Sequence, residues 1–155
     1  MEEPIMASNK TVSVLNDLIE VSKDGEQGFR KAAEDTKTVQ LKSTFLECAD
    51  DISRGIAELQ SAVTTFGGRP ETGGSVAGAL HRGWIDMKSA VVDRTDLAIL
   101  EEAERGEDVA KRRYTDALNE DDIDLSARSL IERQYQGVLR NHERVRELRN
   151  RYRTL

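Results

Sequence analysis

Two glutamates occupy positions where a helix should carry apolar side chains. In the stretch Ala98–Leu118, a period of about 3.6 residues places Glu107 near the middle of the face shared by Leu100 and Tyr114, with Glu104 at its edge. Ionised carboxylates are costly in a protein core unless they are paired, hydrogen-bonded or bound to a metal. Glu104 and Glu107 are therefore the first candidates for chemistry, and metal binding is one chemistry that they indicate.

Further metal-ligating side chains lie on the other predicted helices. Glu26 falls inside the apolar stripe of the first long helix, and His142 falls at the edge of the inner face of the last. Asp51, to one side of the stripe of the second helix, is a weaker candidate. Mixed carboxylate and imidazole ligands suit iron, manganese or zinc. The sequence thus offers a partial metal site made of Glu26, Glu104, Glu107 and His142, with Asp51 as an outlier.

The same inward acids also suit a buried polar network without metal. Lys111 follows Glu107 by four residues, Arg30 follows Glu26 at the same spacing, and Arg149 is available on the last helix. Such a network fixes the register of the helices rather than adding stability. We weight the polar network above the metal site, and both interpretations stay open.

Other reactive side chains give weaker signals. His81, Arg82 and Trp84 form either a surface for an anion or a protein partner, or a packing segment over the bundle, and we favour packing. Cys48, at the centre of an apolar stripe, is interpreted as an inert core residue. No serine or cysteine is placed by sequence beside His81 or His142, the only histidines, so nucleophilic catalysis has little support.

The last predicted helix is rich in arginine. Its segment Arg140–Leu155 contains six arginines and only two glutamates. A weak site for an anion, nucleic acid or acidic partner is one interpretation. Because only Tyr152 interrupts the arginines as an aromatic residue, a solvated helix face is the favoured one.

Composition limits the class of protein. The chain has 155 residues, 34% charged and 37% hydrophobic, and a formal net charge of −6, which disfavours nucleic acid as the main partner. One cysteine excludes an intramolecular disulfide and fits a reducing compartment. No stretch approaches the roughly 18 apolar residues of a membrane span, and the amino terminus lacks the apolar region of a signal peptide. We therefore predict a cytoplasmic protein without a membrane partner.

The apolar periodicity predicts an all-α fold. The clearest stripe runs from Leu41 to Phe66 at spacings of three and four residues, and no useful length of sequence alternates with period two. Two antiparallel hairpins joined by a long crossover containing a shorter helix match a ferritin-like four-helix bundle. Residues 1–8 are predicted to be a flexible leader, 9–155 a single domain, and 67–95 the crossover. The predicted helices begin at Asn9 or Thr11 and end near Lys37, then span about Val39–Phe66, Val76–Val92, Asp96–Asn119 and Asp124–Tyr152.

Several short motifs, in this order, resemble one bacterial family. They are Leu15-Asn16-Asp17-Leu18-Ile19, Asp24-Gly25-Glu26, Gly67-Gly68-Arg69-Pro70-Glu71, Gly78-Ala79-Leu80-His81-Arg82-Gly83-Trp84 and Glu104-Arg105-Gly106-Glu107-Asp108. The family consists of ferritin-like four-helix-bundle proteins of unknown function, and the resemblance covers about Thr11–Arg149. It supports the bundle fold, implies a bacterial cytosolic protein and leaves a stress-linked role open, but it implies no established reaction.

The di-iron motif of ferritin-like proteins is only partly present. Such sites use a glutamate from each of two helices and Glu-x-x-His from each of the other two. Glu26 can stand for one glutamate, Glu104 or Glu107 for another, and His142 for a histidine. However, Leu139 stands where the glutamate paired with His142 would be, and the second helix has no histidine.

Three functions are consistent with these observations. The first is a non-catalytic stress-linked or interaction protein, with a protein partner or a second copy in a homodimer. The second is a metal-binding bundle with an oxidase or storage role. The third is weak binding of an anion or nucleic acid through the arginine-rich helix. The first would leave an exposed apolar patch on a hairpin or on the crossover.

Overall fold

The computed structural model describes residues 2–81 and 94–155, with side chains from residue 9 onward. Within these ranges four long helices account for most of the chain, residues 76–81 form a further helical segment, and no strand is present. The four long helices are α1 (Glu2–Asp35), α2 (Val39–Thr65), α3 (Asp96–Leu118) and α4 (Leu125–Arg153).

The helices pair as two hairpins. A three-residue connection joins α1 to α2, and a short turn joins α3 to α4, so each pair is antiparallel. Between the two hairpins, the backbones of α3 and α1 approach closely along their length, whereas those of α2 and α4 do so at few positions. The predicted architecture is confirmed, and α2 and α4 meet through side chains, such as Glu58 with Arg133 and Glu47 with Arg144.

The start of α1 differs from the prediction, and the predicted crossover helix is described only in part. α1 begins at Glu2 rather than at Asn9 or Thr11, so the residues expected to precede the first helix are part of it. Pro4 does not prevent this start because proline is tolerated in the first helical turn, and acidic residues suit a helix N-terminus. Of the crossover helix predicted for Val76–Val92, residues 76–81 are helical and the remainder lies outside the described residues.

Local signals at the helix ends agree with the sequence. Gly67 follows α2 with a φ of 79°, a conformation that glycine adopts without strain. Ser75 caps the segment 76–81, since its hydroxyl accepts a hydrogen bond from the Gly78 amide at 2.8 Å. Thr95 caps α3 in the same way, accepting from the Ala98 amide at 3.1 Å.

Two side chains of α1 hold the start of the crossover. Asn16 donates to the Arg69 carbonyl at 3.1 Å and accepts from the Glu71 amide at 2.9 Å. About two turns further along, Asp24 accepts hydrogen bonds from the amide and the hydroxyl of Ser75. These motif residues therefore explain how the long connection is fixed to the first hairpin.

Asp96 ties the second hairpin to the first. Its carboxylate, at the N-terminus of α3, accepts hydrogen bonds from the Thr36 hydroxyl at 2.6 Å, the Lys37 amide at 3.3 Å and the Thr38 hydroxyl. Burial raises the pKa of Asp96, but these hydrogen bonds outweigh it and leave the pKa below its usual value. The turn between α1 and α2 thus closes over the end of α3.

The apolar core is divided into two clusters at opposite ends of the bundle. Each cluster takes residues from all four helices, and Ile52 packs against both. Prominent members of the first are Leu15, Ile19, Leu59, Tyr114 and Ile131, and of the second Phe29, Phe45, Leu100 and Val145. The layer between the clusters is where the predicted inward acids lie. Across the ranges described, no helix is both long and apolar enough to cross a membrane.

We expect Asp24→Ala to lower the free energy of unfolding by about 1–3 kcal/mol, because the Ser75 amide and hydroxyl lose their acceptor. The matched control is Asp17→Ala, an exposed position of the same helix, where a change within about 0.5 kcal/mol is expected. Urea unfolding followed by circular dichroism measures both. Equal effects of the two substitutions would show that Asp24 does not anchor the crossover.

Candidate functional site: a polar cavity at the bundle centre

A cavity of about 320 Å³ lies between the two apolar clusters, and all four long helices line it. Each helix contributes one glycine to the lining: Gly25, Gly55, Gly106 and Gly137. A Cβ atom at these positions would meet other atoms no closer than 3.5 Å, and at Gly106 it would meet nothing within 4 Å. Helix packing therefore does not demand glycine at these positions, and the glycines leave space in the layer.

Glu107 is the one fully buried acid of this layer. Its side chain points into the bundle with 4% of the residue exposed, and it forms no hydrogen bond or ion pair within the part of the chain that the structure describes. Burial, and to a lesser degree the charge of Asp108, raises the pKa of Glu107 to about 8. The carboxyl group is therefore mostly protonated at neutral pH. A second cavity, between α1, α3 and the start of the crossover, shares Val21, Gly25, Gly106 and Glu107 with the first.

The expected pairing of Lys111 with Glu107 is wrong. Lys111 follows Glu107 by one helical turn, but no ion pair joins them. Lys111 is only partly buried whereas Glu107 faces the interior. An ammonium loses most of its hydration if it follows a carboxylate into a core, so the solvated position is the cheaper one for Lys111.

A chain of hydrogen bonds crosses the bundle beside Glu107. The buried Tyr114 hydroxyl donates to Gln134 Oε1 at 2.8 Å and lies 3.4 Å from the Ser22 hydroxyl. Gln134 Nε2 in turn donates to the Gly55 carbonyl at 3.0 Å and lies 3.3 Å from Glu58 Oε1. Burial raises the pKa of Tyr114 to about 12, so its hydroxyl keeps its proton. One residue from each helix is thus fixed in register.

Two predicted metal ligands have basic partners instead. Glu26 Oε2 lies 3.0 Å from the Arg30 guanidinium, and Glu26 Oε1 lies 3.9 Å from the Lys23 ammonium. Glu104 Oε1 accepts a hydrogen bond from Arg149 at 2.6 Å. The polar-network interpretation of the sequence offered Arg30 and Arg149 as partners for these acids, and both pairs are present.

The remaining predicted ligands are also engaged. His142 Nε2 lies 2.6 Å from Asp108 Oδ1, and Asp51 pairs with Arg54. In residues 2–81 and 94–155, no group of three or more histidine, cysteine, aspartate or glutamate side chains could hold a metal ion. The donor set of a ferritin-like di-iron centre therefore does not fit these residues as they are arranged, and the predicted set of Glu26, Glu104, Glu107, His142 and Asp51 stays a prediction.

Cys48 and His81, which the sequence also indicated, each contact another residue of the structure. Cys48 is fully buried, and burial raises the pKa of its thiol to about 12. The thiol donates weakly to Asn141 Oδ1 at 3.9 Å. His81 pairs with Glu102 of α3. Its predicted partners in a contact surface, Arg82 and Trp84, lie outside the described residues.

Sequence reasoning missed several residues of the cavity. The sequence interpretation assigns no polar role to Tyr114 or to Gln134. Asn141 and Arg140 were not singled out individually. Each long helix carries a polar residue and a glycine near its middle. This pattern could have indicated the cavity, but it is visible only when the four helices are compared.

Comparison with known structures defines the class of protein as a ferritin-like four-helix bundle. A Dps protein from Vibrio cholerae O1, a member of a broad superfamily of ferritin-like diiron-carboxylate proteins, is 18% identical, with a TM-score of 0.71 and coverage of 92% of this chain and 91% of that chain. Dps from Thermosynechococcus elongatus is 15% identical, with a TM-score of 0.73 and coverage of 94% and 93%. These similarities concern the fold.

A two-domain protein from Anabaena variabilis, containing DJ-1/ThiJ/PfpI-like and ferritin-like domains, is also similar. It is 17% identical with a TM-score of 0.71, and the match covers 95% of this chain but 37% of that chain. No curated protein matches the sequence. Residues 10–120 match a family described as a domain of unknown function (DUF2383), and the chain belongs to that family. The predicted resemblance to a ferritin-like family of unknown function is confirmed.

We expect the stability advantage of Glu107→Gln over the wild type to grow as pH rises. The folded wild type holds the Glu107 proton up to a pKa of about 8, whereas the unfolded chain releases it near 4.5. The folded state therefore binds more protons between these values, and wild-type stability falls across this window. Glutamine has the same shape and does not titrate. The difference should reach a few kcal/mol above the folded pKa.

Urea unfolding of both proteins at a series of pH values measures this difference. Glu104→Gln is the control, since it removes a carboxylate that already has an arginine partner. A difference between wild type and Glu107→Gln that is constant from acid to alkaline pH would mean that Glu107 is ionised in the folded protein.

Tyr114→Phe should destabilise the protein by about 1–3 kcal/mol, because Gln134 Oε1 loses its donor in a buried layer. Tyr152→Phe is the matched control, since its hydroxyl has no hydrogen-bond partner in the described ranges and a change within about 0.5 kcal/mol is expected. Thermal and urea unfolding compare the two. If both variants behave alike, the chain of hydrogen bonds across the bundle adds nothing to stability.

Proposed function

We propose that this protein is a non-catalytic ferritin-like bundle that works by binding. The observation that carries the proposal is the state of the predicted ligands: four of the five are engaged by a basic or acidic partner, and Glu107 alone faces a cavity without one. Redox or hydrolytic chemistry needs several groups arranged around one reacting position. A single protonated carboxyl group in a cavity supports ligand binding instead.

The proposal includes a homo-oligomer, in the first instance a dimer, in the bacterial cytoplasm. Val76 and Leu80 support it, because they lie one helical turn apart on the crossover and are 77% and 72% exposed. An apolar pair of this kind on the crossover is what the interaction hypothesis expects. A second copy of the chain would remove it from water. A stress-linked role is part of the proposal only through the family resemblance.

Metal binding is the second candidate function. The description of the Vibrio cholerae neighbour as a member of a diiron-carboxylate superfamily supports it, as does the unpartnered burial of Glu107. It requires Glu26, Glu104 or His142 to leave its present partner and turn toward Glu107. Iron, manganese and zinc are the metals to test.

Anion or nucleic-acid binding by the arginine-rich helix is the weakest candidate. Carboxylates neutralise most of the arginines of α4 in the segment that suggested it. The ion pairs are Arg144–Glu47, Arg146–Glu143, Arg149–Glu104 and Arg153–Glu101. Three of these pairs join α4 to another helix, so the arginines serve the packing of the bundle.

We expect untagged protein to contain substoichiometric iron, manganese and zinc, and to leave the rate of Fe(II) oxidation by oxygen unchanged. Mass spectrometry for metals and an absorbance assay for Fe(III) measure these quantities, with Glu107→Gln as the paired variant. One or two equivalents of metal in the wild type that are lost in Glu107→Gln would replace the proposed function with the metal-binding one.

A further inference from the structure

The exposed charged residues that line the central cavity lie on α2 and α4, and we take this side as its mouth. Exposed residues with charged side chains lie at this opening, and most are already paired: Arg54 with Asp51, and Arg133 with Glu58 at 2.8 Å. The pairs leave no net charge at the mouth. Their carboxylates are not available to a second cation without displacing an arginine.

Arg140 is the exception at the mouth. It lines the cavity, and its guanidinium folds back over Gly137, where Nη2 lies 3.6 Å from the position of an added Cβ. It forms no ion pair with any residue in the two described ranges. An exposed guanidinium beside a cavity recognises carboxylates well because it presents several donors in a planar fork.

The inner end of the cavity carries an acid instead of a cation. Glu107 lies there in the interior, and the neutral side chains of Ser22, Gln134 and Asn141 surround the space. A buried carboxyl group without a partner gains most from a ligand that brings a positive charge and hydrogen-bond donors. The cavity thus has an acid at its inner end and an unpaired cation at its mouth.

We propose that this cavity binds a small aminocarboxylate, with the ligand's ammonium group on Glu107 and its carboxylate on Arg140. The inference rests on the proposed function as a binding protein and names the ligand class. A volume of about 320 Å³ is sufficient for a short-chain molecule of this type. The mixed lining is also suitable, since the glycines and Val138 accommodate the methylene groups between the two charged ends.

The other charged groups that line the cavity are already engaged. Asp51 pairs with Arg54, and Glu58 pairs with Arg133. Glu107 and Arg140 are therefore the two charged or acidic side chains of the lining that a ligand can meet without displacing a partner.

Isothermal titration calorimetry of the full chain tests the proposal. The probes are unbranched aminocarboxylates from glycine to 5-aminopentanoate, compared with the alkylamine and the fatty carboxylate of the same length. We expect one aminocarboxylate to bind about tenfold more tightly than its alkylamine, and the fatty carboxylate to bind much more weakly than either.

Three substitutions separate the contributions of the two ends. Glu107→Gln should abolish binding of aminocarboxylates and amines while leaving the helical circular dichroism unchanged. Arg140→Gln should reduce aminocarboxylate affinity to that of the alkylamine and leave alkylamine affinity unchanged. Arg146→Gln, on the same helix but outside the cavity lining, is the control and should change neither.

Failure of the wild type to bind any probe overturns this inference and leaves the proposed function intact. Binding that survives Glu107→Gln also overturns it, because the ligand then lies elsewhere. Stoichiometric metal that depends on Glu107 contradicts the proposed function itself, and is measured separately.

Discussion

The central constraint on this bundle is the burial of one carboxyl group without a partner. A neutral glutamic acid in a core costs less than an ionised one, but its oxygens still need water or a polar partner. Glu107 therefore cannot lie within a tightly packed apolar layer. The rest of the middle of the bundle is consistent with this: every helix contributes a glycine to the cavity, and the apolar side chains separate into clusters above and below it.

Stability has to come from elsewhere in the molecule. The two apolar clusters supply most of it, since burial of apolar surface is the dominant favourable term in folding. Hydrogen bonds then fix the arrangement: Asp96 closes the α1–α2 turn over α3, and Asn16 and Asp24 hold the crossover. The motif residues that suggested the family thus have structural roles, while Glu107, within another of those motifs, is a liability for stability.

The sequence predicted the helices well and the site in part. Periodicity located α2, α3 and α4 within one or two residues because their apolar stripes are long and because α3 and α4 begin at residues that cap them. It also identified Glu107 as inward, and Arg30 and Arg149 as partners for the other acids. It placed the start of α1 too late, because the first turns of this helix carry no apolar stripe. It also offered Lys111 as a partner for Glu107, although the hydration of the ammonium keeps Lys111 away from the core. Periodicity could not predict the His142–Asp108 pair or the cavity, because both depend on how side chains of separate helices meet.

The most direct test of this account is the pKa of Glu107 in the folded protein. Carbon-13 NMR of the glutamate side-chain carboxyl groups, with Glu107→Gln to assign the resonance, measures it as a function of pH. The account predicts a titration near 8, since burial without a partner favours the protonated form. A Glu107 resonance that titrates near 4.5, the ordinary value for glutamate, would contradict it, because the carboxylate would then be solvated or paired.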